Sequence, residues 1–244
     1  MRLTRSFVDL PLSPGGHVRL DEATSGHLLR VLRLQAGQLC VLFNGDGSDY
    51  SARLLDADRR GAEVEVLQAA PAAAESPLRI VLAQALARGE KMDLVLQKAT
   101  ELGVAAVVPV VTERTEVRLG GERLDKRMAH WRGVVAAACE QCGRAVLPRL
   151  AEPRSLATFA ADAPAGLRLA LDPEGEHGLG GVAVDGGDLV LVVGPEGGLS
   201  ERDLATLGAA GFSGLRMGPR ILRTETAGLA AIAALQALYG DLRG

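Results

Sequence analysis

The sequence is poor in cysteine, in net charge and in long apolar runs, and each shortage closes off a class of function. Three cysteines in 244 residues are an odd number in a chain too long for a disulfide-stapled secreted domain, so a reducing cytoplasm is the expected compartment. No uncharged apolar stretch reaches the roughly 18 residues of a spanning helix. The start of the chain also lacks a basic segment followed by an apolar core, so neither a membrane span nor a secretion leader is expected. A formal net charge of −3 gives no global attraction for nucleic acid, which confines any RNA site to a local patch. The phosphate-binding patterns G-x-x-x-x-G-K-[ST] and G-x-G-x-x-G are both missing. What is present, 48% hydrophobic and 23% charged residues, is an ordinary globular composition with room for one large domain or two smaller ones.

The pattern changes once along the chain. From Met1 to Leu67 it reads as short strands around one helical interruption that carries His27, Leu28, Leu29, Val31 and Leu32 and is capped by Thr24 or Ser25. Asn44-Gly-Asp-Gly47 is a hairpin signal between two strand-like runs. This suits a small, partly closed β-barrel over residues 1–70. Ala69 to Pro77 is rich in alanine with proline near both ends and reads as a linker, with 71–77 as its body. From residue 78 to 244, strands and helices alternate, which predicts a parallel sheet covered on both faces.

Within that second region two apolar strands each run into a glycine-rich turn that opens a helix. The first is Asp188 to Val193, then Gly194-Pro-Glu-Gly-Gly-Leu199, with Ser200 as N-cap and Asp203 three residues on. The second is Gly214 to Met217, then Gly218-Pro-Arg-Ile-Leu-Arg-Thr-Glu-Thr226, with a helix from Ala227 to Leu238. That helix is apolar nearly all round and is expected to be covered on more than one side, by the sheet and a second subunit, with Leu235 at the subunit contact. Turns of this kind let backbone groups approach a ligand closely. The acidic Glu196 disfavours a polyphosphate and favours a nucleoside with a cationic or zwitterionic arm, a description that S-adenosylmethionine meets. The strand end at Leu171, with Asp172-Pro-Glu-Gly175 after it, is the expected third wall.

These residues carry a family resemblance. Gly194-Pro-Glu-Gly-Gly198 and Met217-Gly-Pro-Arg-Ile-Leu-Arg-Thr-Glu-Thr-Ala227 occur with Lys91-Met-Asp93, Gln97-Lys-Ala-Thr-Glu-Leu-Gly-Val104, Glu140-Gln141-x-x-Arg144 and Arg5-x-Phe7. Together they resemble the signature of the SPOUT-class 16S rRNA uridine-N3 methyltransferases, the RsmE family, over almost the whole chain. The resemblance implies an α/β fold, with a SPOUT-type trefoil-knotted parallel-sheet domain and a small N-terminal PUA-like β-barrel. It further implies a homodimer, S-adenosyl-L-methionine as methyl donor, and 16S rRNA of the small ribosomal subunit as substrate. On that basis the cofactor pocket is expected from Leu171, Gly194, Glu196, Gly197, Gly198, Met217, Gly218, Ile221, Leu222 and Thr226. Arg223 is the candidate to stabilise a uracil anion, and Glu225, beside Glu196, a candidate to take the N3 proton, although both carboxylates also have structural readings. A tRNA ribose 2′-O-methyltransferase of the same class and a non-catalytic RNA-binding assembly factor are the alternatives.

For RNA contacts the expected residues are Arg5, Arg30 and Arg33 in the first region and Arg114 and Arg118 in the second. Glu113 to Arg149 holds eight basic and five acidic side chains, the most basic stretch, while residues 1–70 hold eight basic against nine acidic. The alternative for each arginine is a solvated or salt-bridged surface position. Cys139-Glu-Gln-Cys142 is a C-x-x-C, but no second ligand pair accompanies it, so two reduced thiols and no metal are expected.

Overall fold

The computed structural model describes residues 3–58, 61–73, 75–117, 120–184 and 187–243. The chain divides into two compact units, one running to Glu75 and taking in Ala136–Leu147, the other made of Ser76–Val135 and the chain from Pro148 onward.

In the first unit, β1 (Arg5–Phe7), β2 (His17–Arg19), β3 (Leu39–Phe43), β4 (Ser48–Asp58) and β5 (Gly61–Pro71) form one sheet in the order β1-β3-β4-β5-β2. Only β1 and β3 pair in parallel. Alternation along β4 and β5 sends Tyr50, Ala52, Leu54, Ala62, Val64 and Val66 into the core with Leu20, Leu28 and Leu42. The helical interruption differs from the sequence expectation. A short α1 (Glu22–Gly26) is capped by Asp21, whose carboxylate accepts from the Thr24 N–H at 2.7 Å, and then becomes a π-turn over His27–Val31. Ser25 is a core residue instead, donating to Leu20 O and accepting from Ala62 N–H at 2.9 Å. β5 continues to Pro71, because its pairing with β4 runs into the alanine-rich stretch.

The second unit starts with β6 (Arg79–Ala85), α2 (Lys91–Glu101) and β7 (Ala106–Val111), after which comes α3 (Glu122–Cys142). It goes on through β8 (Arg149–Leu150), β9 (Arg154–Ser155), α4 (Leu156–Ala161), β10 (Gly166–Leu171) and β11 (His177–Gly178). It ends with β12 (Asp188–Val193), α5 (Glu201–Ala209), β13 (Ser213–Arg216) and α6 (Thr224–Tyr239). The strands lie in the order β11-β13-β10-β12-β6-β7-β8, with β9 also beside β7, and every pairing is parallel. One face is packed by Leu156, Phe159, Leu207 and Phe212 of the α4 and α5 regions against Val81, Ala83, Val108, Val190 and Val192. α6 packs on β6 and β12 and alongside α2.

That packing corrects the expectation for Leu235. It is 0% exposed within its own chain, because α2 and the sheet cover that side of α6. The helix also starts three residues earlier than expected, at Thr224, with Arg223 as N-cap.

α3 is the element shared by the two units. Its final turns bury Cys139 with Phe43 and Ala145, and its Glu140 carboxylate accepts from the Phe7 N–H at 2.9 Å and the Ser6 hydroxyl at 3.3 Å.

Candidate functional site

The carboxyl ends of β10, β12 and β13 open into one cavity of about 800 Å³. Ligands collect at such strand ends in parallel sheets. Its walls are Leu171 with Asp172, Pro173 and Glu174, the whole turn from Gly194 to Leu199, and the segment from Met217 to Thr224 without Pro219. The two glycine turns, far apart from Asp172 in sequence, are thus brought together.

The first turn is held from several directions. Thr224, buried at the start of α6, donates its hydroxyl to Gly194 O at 2.6 Å and accepts from the Gln84 amide at 2.9 Å. Ser200 and Asp203 form a full capping box at 3.0 and 3.1 Å, which fixes where α5 begins. Arg114 donates to Gly197 O at 2.8 Å and Leu199 O at 3.4 Å. Gly194 itself leaves no room for a side chain, since a Cβ there would sit 2.9 Å from Leu199 N and 3.0 Å from Gly198 C.

Lys91, from α2, joins the first glycine turn to the start of α6 electrostatically. Its ammonium lies 3.0 Å from Glu196 Oε1 and 3.5 Å from Glu225 Oε2, and the hydrogen bond to Glu196 raises its pKa. Partial burial pushes the Glu196 carboxyl up, but the Arg88 N–H and Lys91 outweigh it and hold Glu196 below the usual range. Glu196 is therefore a committed anion.

The second turn is treated differently. Gly218 has φ 78°, a conformation that suits glycine, and a Cβ there would meet nothing within 4 Å. Arg220, Ile221 and Arg223 are exposed. Neither Arg220 nor Arg223 has a side-chain hydrogen bond or ion pair among the described residues.

Leu171, Gly194, Glu196, Gly197, Gly198, Met217, Gly218, Ile221, Leu222 and Arg223 all line this cavity. Thr226 and Glu225 do not. Because α6 starts at Thr224, both lie on its first turn, with Thr226 exposed and Glu225, 14% exposed, turned to Lys91. Among the arginines expected to face RNA, Arg5 is turned inward. Its side chain is 7% exposed, paired with Asp49, bonded to Arg144 O at 3.1 Å and stacked 4.8 Å over Phe43. Its charge is spent inside the first unit, and the Arg5-x-Phe7 and Glu140-to-Arg144 motifs meet there as one structural cluster. Arg114 is exposed but braces the first glycine turn. Arg30 is exposed on the π-turn and Arg33 is exposed just after it, Arg33 at φ 55°. Arg118 lies outside the described residues.

The thiols are shielded. Burial raises Cys40 to about 11 and Cys139 to about 12. Among the described residues no group of three or more His, Cys, Asp or Glu side chains is arranged to hold a metal ion, and no helix is long and apolar enough to cross a membrane.

Comparison with known proteins gives the family. The family described as RNA methyltransferase domain matches residues 74–236, and that described as RNA methyltransferase PUA domain matches 20–67. The chain belongs to the RNA methyltransferase family. The ribosomal RNA small subunit methyltransferase E of Mycobacterium bovis is 33% identical over 95% of this chain and 90% of its own. That of Bacillus subtilis is 28% identical, covering 89% of each. A crystal structure of the Neisseria gonorrhoeae enzyme of the same name, bound to S-adenosyl methionine, superposes with TM-score 0.94 at 40% identity over 98% of this chain and 99% of that one.

In this RNA methyltransferase, sequence reasoning missed Lys91, Thr224 and Arg220 at the cavity. Lys91 stood inside a quoted motif, so the signal for it was present. Nothing in one sequence pairs Gln84 with Thr224, which lie 140 positions apart.

Proposed function

We propose that the protein methylates N3 of a uridine in 16S rRNA of the small ribosomal subunit, with S-adenosyl-L-methionine bound in the cavity. The carrying observation is a cavity walled by two glycine turns at parallel strand ends, with an arginine at its rim that has no side-chain partner among the described residues.

The lining fits that cofactor. Val193, Leu199, Leu204, Leu215 and Met217 offer apolar surface for a flat base, and the turns offer backbone groups with few side chains over them. Asp172, Glu174, Glu196 and Glu201 supply negative charge for a cationic arm. The volume, about 800 Å³, falls in the ordinary range of roughly 300–1,000 Å³ for small-molecule sites. When bound, the cofactor supplies an electrophilic methyl group on a sulfonium.

The protein's own task is to make uridine N3 nucleophilic and align it. N3 carries an imide proton, which must leave for its lone pair to attack. Arg223 sits at the N-terminus of α6 with no side-chain partner for its guanidinium among the described residues, so two positive sources, the side chain and the helix end, favour the charge that develops on the uracil carbonyls. Glu225 is not assigned as the proton acceptor. It holds Lys91, which holds Glu196 and the first turn, and its contribution is positional; the N3 proton passes to water. Orientation supplies much of the remaining rate.

The second copy of a homodimer is placed against the outer side of α6, where Leu238 remains 46% exposed beside Ala237. Arg30 and Arg33 of the PUA unit are assigned to RNA phosphates. A trefoil-knotted path and a cytoplasmic location complete this reading.

The test is to map methylated nucleosides in rRNA from cells lacking the gene, with and without the gene restored. One N3-methyluridine in 16S rRNA should vanish and return. A lost ribose methyl group, or a lost tRNA modification, would overturn the proposal.

A further inference from the structure

Uridine N3 lies on the base-pairing edge, so the target must leave its stack before it can reach a cavity inside the protein. Extrusion leaves a gap in the RNA, and proteins that distort nucleic acid commonly fill such gaps with an apolar side chain flanked by basic ones.

Among the described residues, one side chain has those properties at the required place. Ile221 is 84% exposed, more than any other large hydrophobic residue among those described, yet it sits on the wall of the cavity. Other apolar residues of that wall behave differently: Val193 and Leu215 are buried and Met217 and Leu222 half-buried. Their surfaces face the cavity, whereas Ile221 stands out from the chain. It is bracketed by Arg220 one residue before and Arg223 two after, both exposed and without a side-chain partner among the described residues. An isolated apolar side chain between two unpaired cations complements a stacked, polyanionic partner, not an apolar surface.

We infer that Ile221 is an RNA wedge, which occupies the space vacated by the extruded uridine while Arg220 grips the adjoining phosphate. Arg223 is then left to the uracil. This rests on the proposed N3 methylation and adds to it how the base is kept out of its stack.

The experiment compares wild type, Ile221→Ala, Ile221→Leu and Arg220→Ala in single-turnover methylation of small subunits purified from cells lacking the modification. Cofactor affinity by calorimetry and sedimentation of each variant are measured alongside. Ile221→Ala should lower the single-turnover rate roughly tenfold or more, with cofactor affinity within about twofold and sedimentation unchanged, because only the unstacked state loses its support. Leucine should restore most of the rate. Arg220→Ala should weaken subunit binding and reduce its salt dependence.

An Ile221→Ala variant at full rate would overturn the wedge. So would a parallel loss of cofactor affinity, which would give Ile221 to the cofactor pocket, or a changed sedimentation coefficient, which would give it to a second copy of the chain. If wild type itself places no methyl group on uridine N3, the proposed function fails, and that outcome is separate from any behaviour of residue 221.

Discussion

The two glycine turns of the methyltransferase unit share a sequence plan and differ in how the rest of the protein handles them. The turn at Gly194–Leu199 is fastened by Thr224, Arg114, Lys91 and a capping box. The segment at Gly218–Arg223 makes no comparable side-chain bonds: its arginines lack partners among the described residues and its isoleucine stands in solvent. A rigid wall is what a small ligand needs, because ordering a loop on binding subtracts from affinity. A wall with free cations and an exposed apolar side chain suits a large, charged partner that arrives from outside. Under the function proposed above, both turns wall the cofactor cavity, but the contrast divides the labour of their side chains: the first turn would set cofactor geometry, and the exposed side chains of the second would meet RNA.

The sharpest way to break that contrast is at Gly194. Gly194→Ala places a Cβ 2.9 Å from Leu199 N and 3.0 Å from Gly198 C, both backbone atoms that cannot step aside, so the turn must open. Calorimetry should detect no cofactor binding, with the far-ultraviolet circular dichroism of the fold retained. Gly197→Ala is the control within the same turn. Its Cβ would meet only the Arg114 side chain at 3.4 Å, and affinity should fall a few-fold at most. Equal losses at 194 and 197 would mean that the fastening described here does not set the pocket.

The second turn is tested at Arg223. Arg223→Ala should cut single-turnover methylation by about a hundredfold, the scale of one lost preorganised donor, with cofactor affinity unchanged within a few-fold. Lysine should rescue only in part, since it lacks the planar fork of guanidinium. If cofactor affinity and melting temperature fell together with the rate, Arg223 would belong with the fastened turn, and the division of labour would be lost.

What could be read in advance from sequence follows the range of the interactions involved. The capping box of Ser200 and Asp203 was legible because its signal is local: a cap three residues from its partner. The strand-turn-helix plan was legible for the same reason. Arginine roles were not. Arg5 inside the first unit, Arg114 on two carbonyls and Arg223 in solvent carry the same side chain, and only the fold decides whether Asp49, Gly197 O or water faces it. Helix α6 began early for a related reason: Thr224 can leave the turn because Gln84 and Gly194 O, distant in sequence, satisfy its hydroxyl. Leu235 was misplaced because an all-apolar helix does not say which neighbour covers which side.

That Thr224 relay gives an intermediate effect. Thr224→Val keeps the shape but removes both the donor to Gly194 O and the acceptor for Gln84, leaving buried polar groups unpaired at a cost of about 1–3 kcal/mol. Denaturant unfolding should show the loss, and Thr224→Ser should recover most of it. Cofactor affinity should weaken in the valine variant as the first turn loosens, while subunit binding, which depends on the second, holds. If valine weakened subunit binding instead and left cofactor affinity alone, the relay would be serving the wrong turn.

The smallest expected effect is the pH dependence of the Lys91 bridge. The folded pKa of Glu196 is lowered from 4.5, so the stabilisation it supplies is fully present above about 4.5 and fades as pH falls through the lower folded value. The folded pKa of Lys91 is raised from 10.5, so its part is present below about 10.5 and fades as pH rises through the higher folded value. Across the neutral range the bridge is therefore constant. Glu196→Gln removes it, and the difference in melting temperature between wild type and variant should be flat from about pH 6 to 9 and shrink below pH 4.5. The pair is exposed enough that this difference should be slight, but its shape carries the information. A difference that persists undiminished to pH 3, where the carboxyl has lost its charge, would show that the Lys91 charge interaction is not its source.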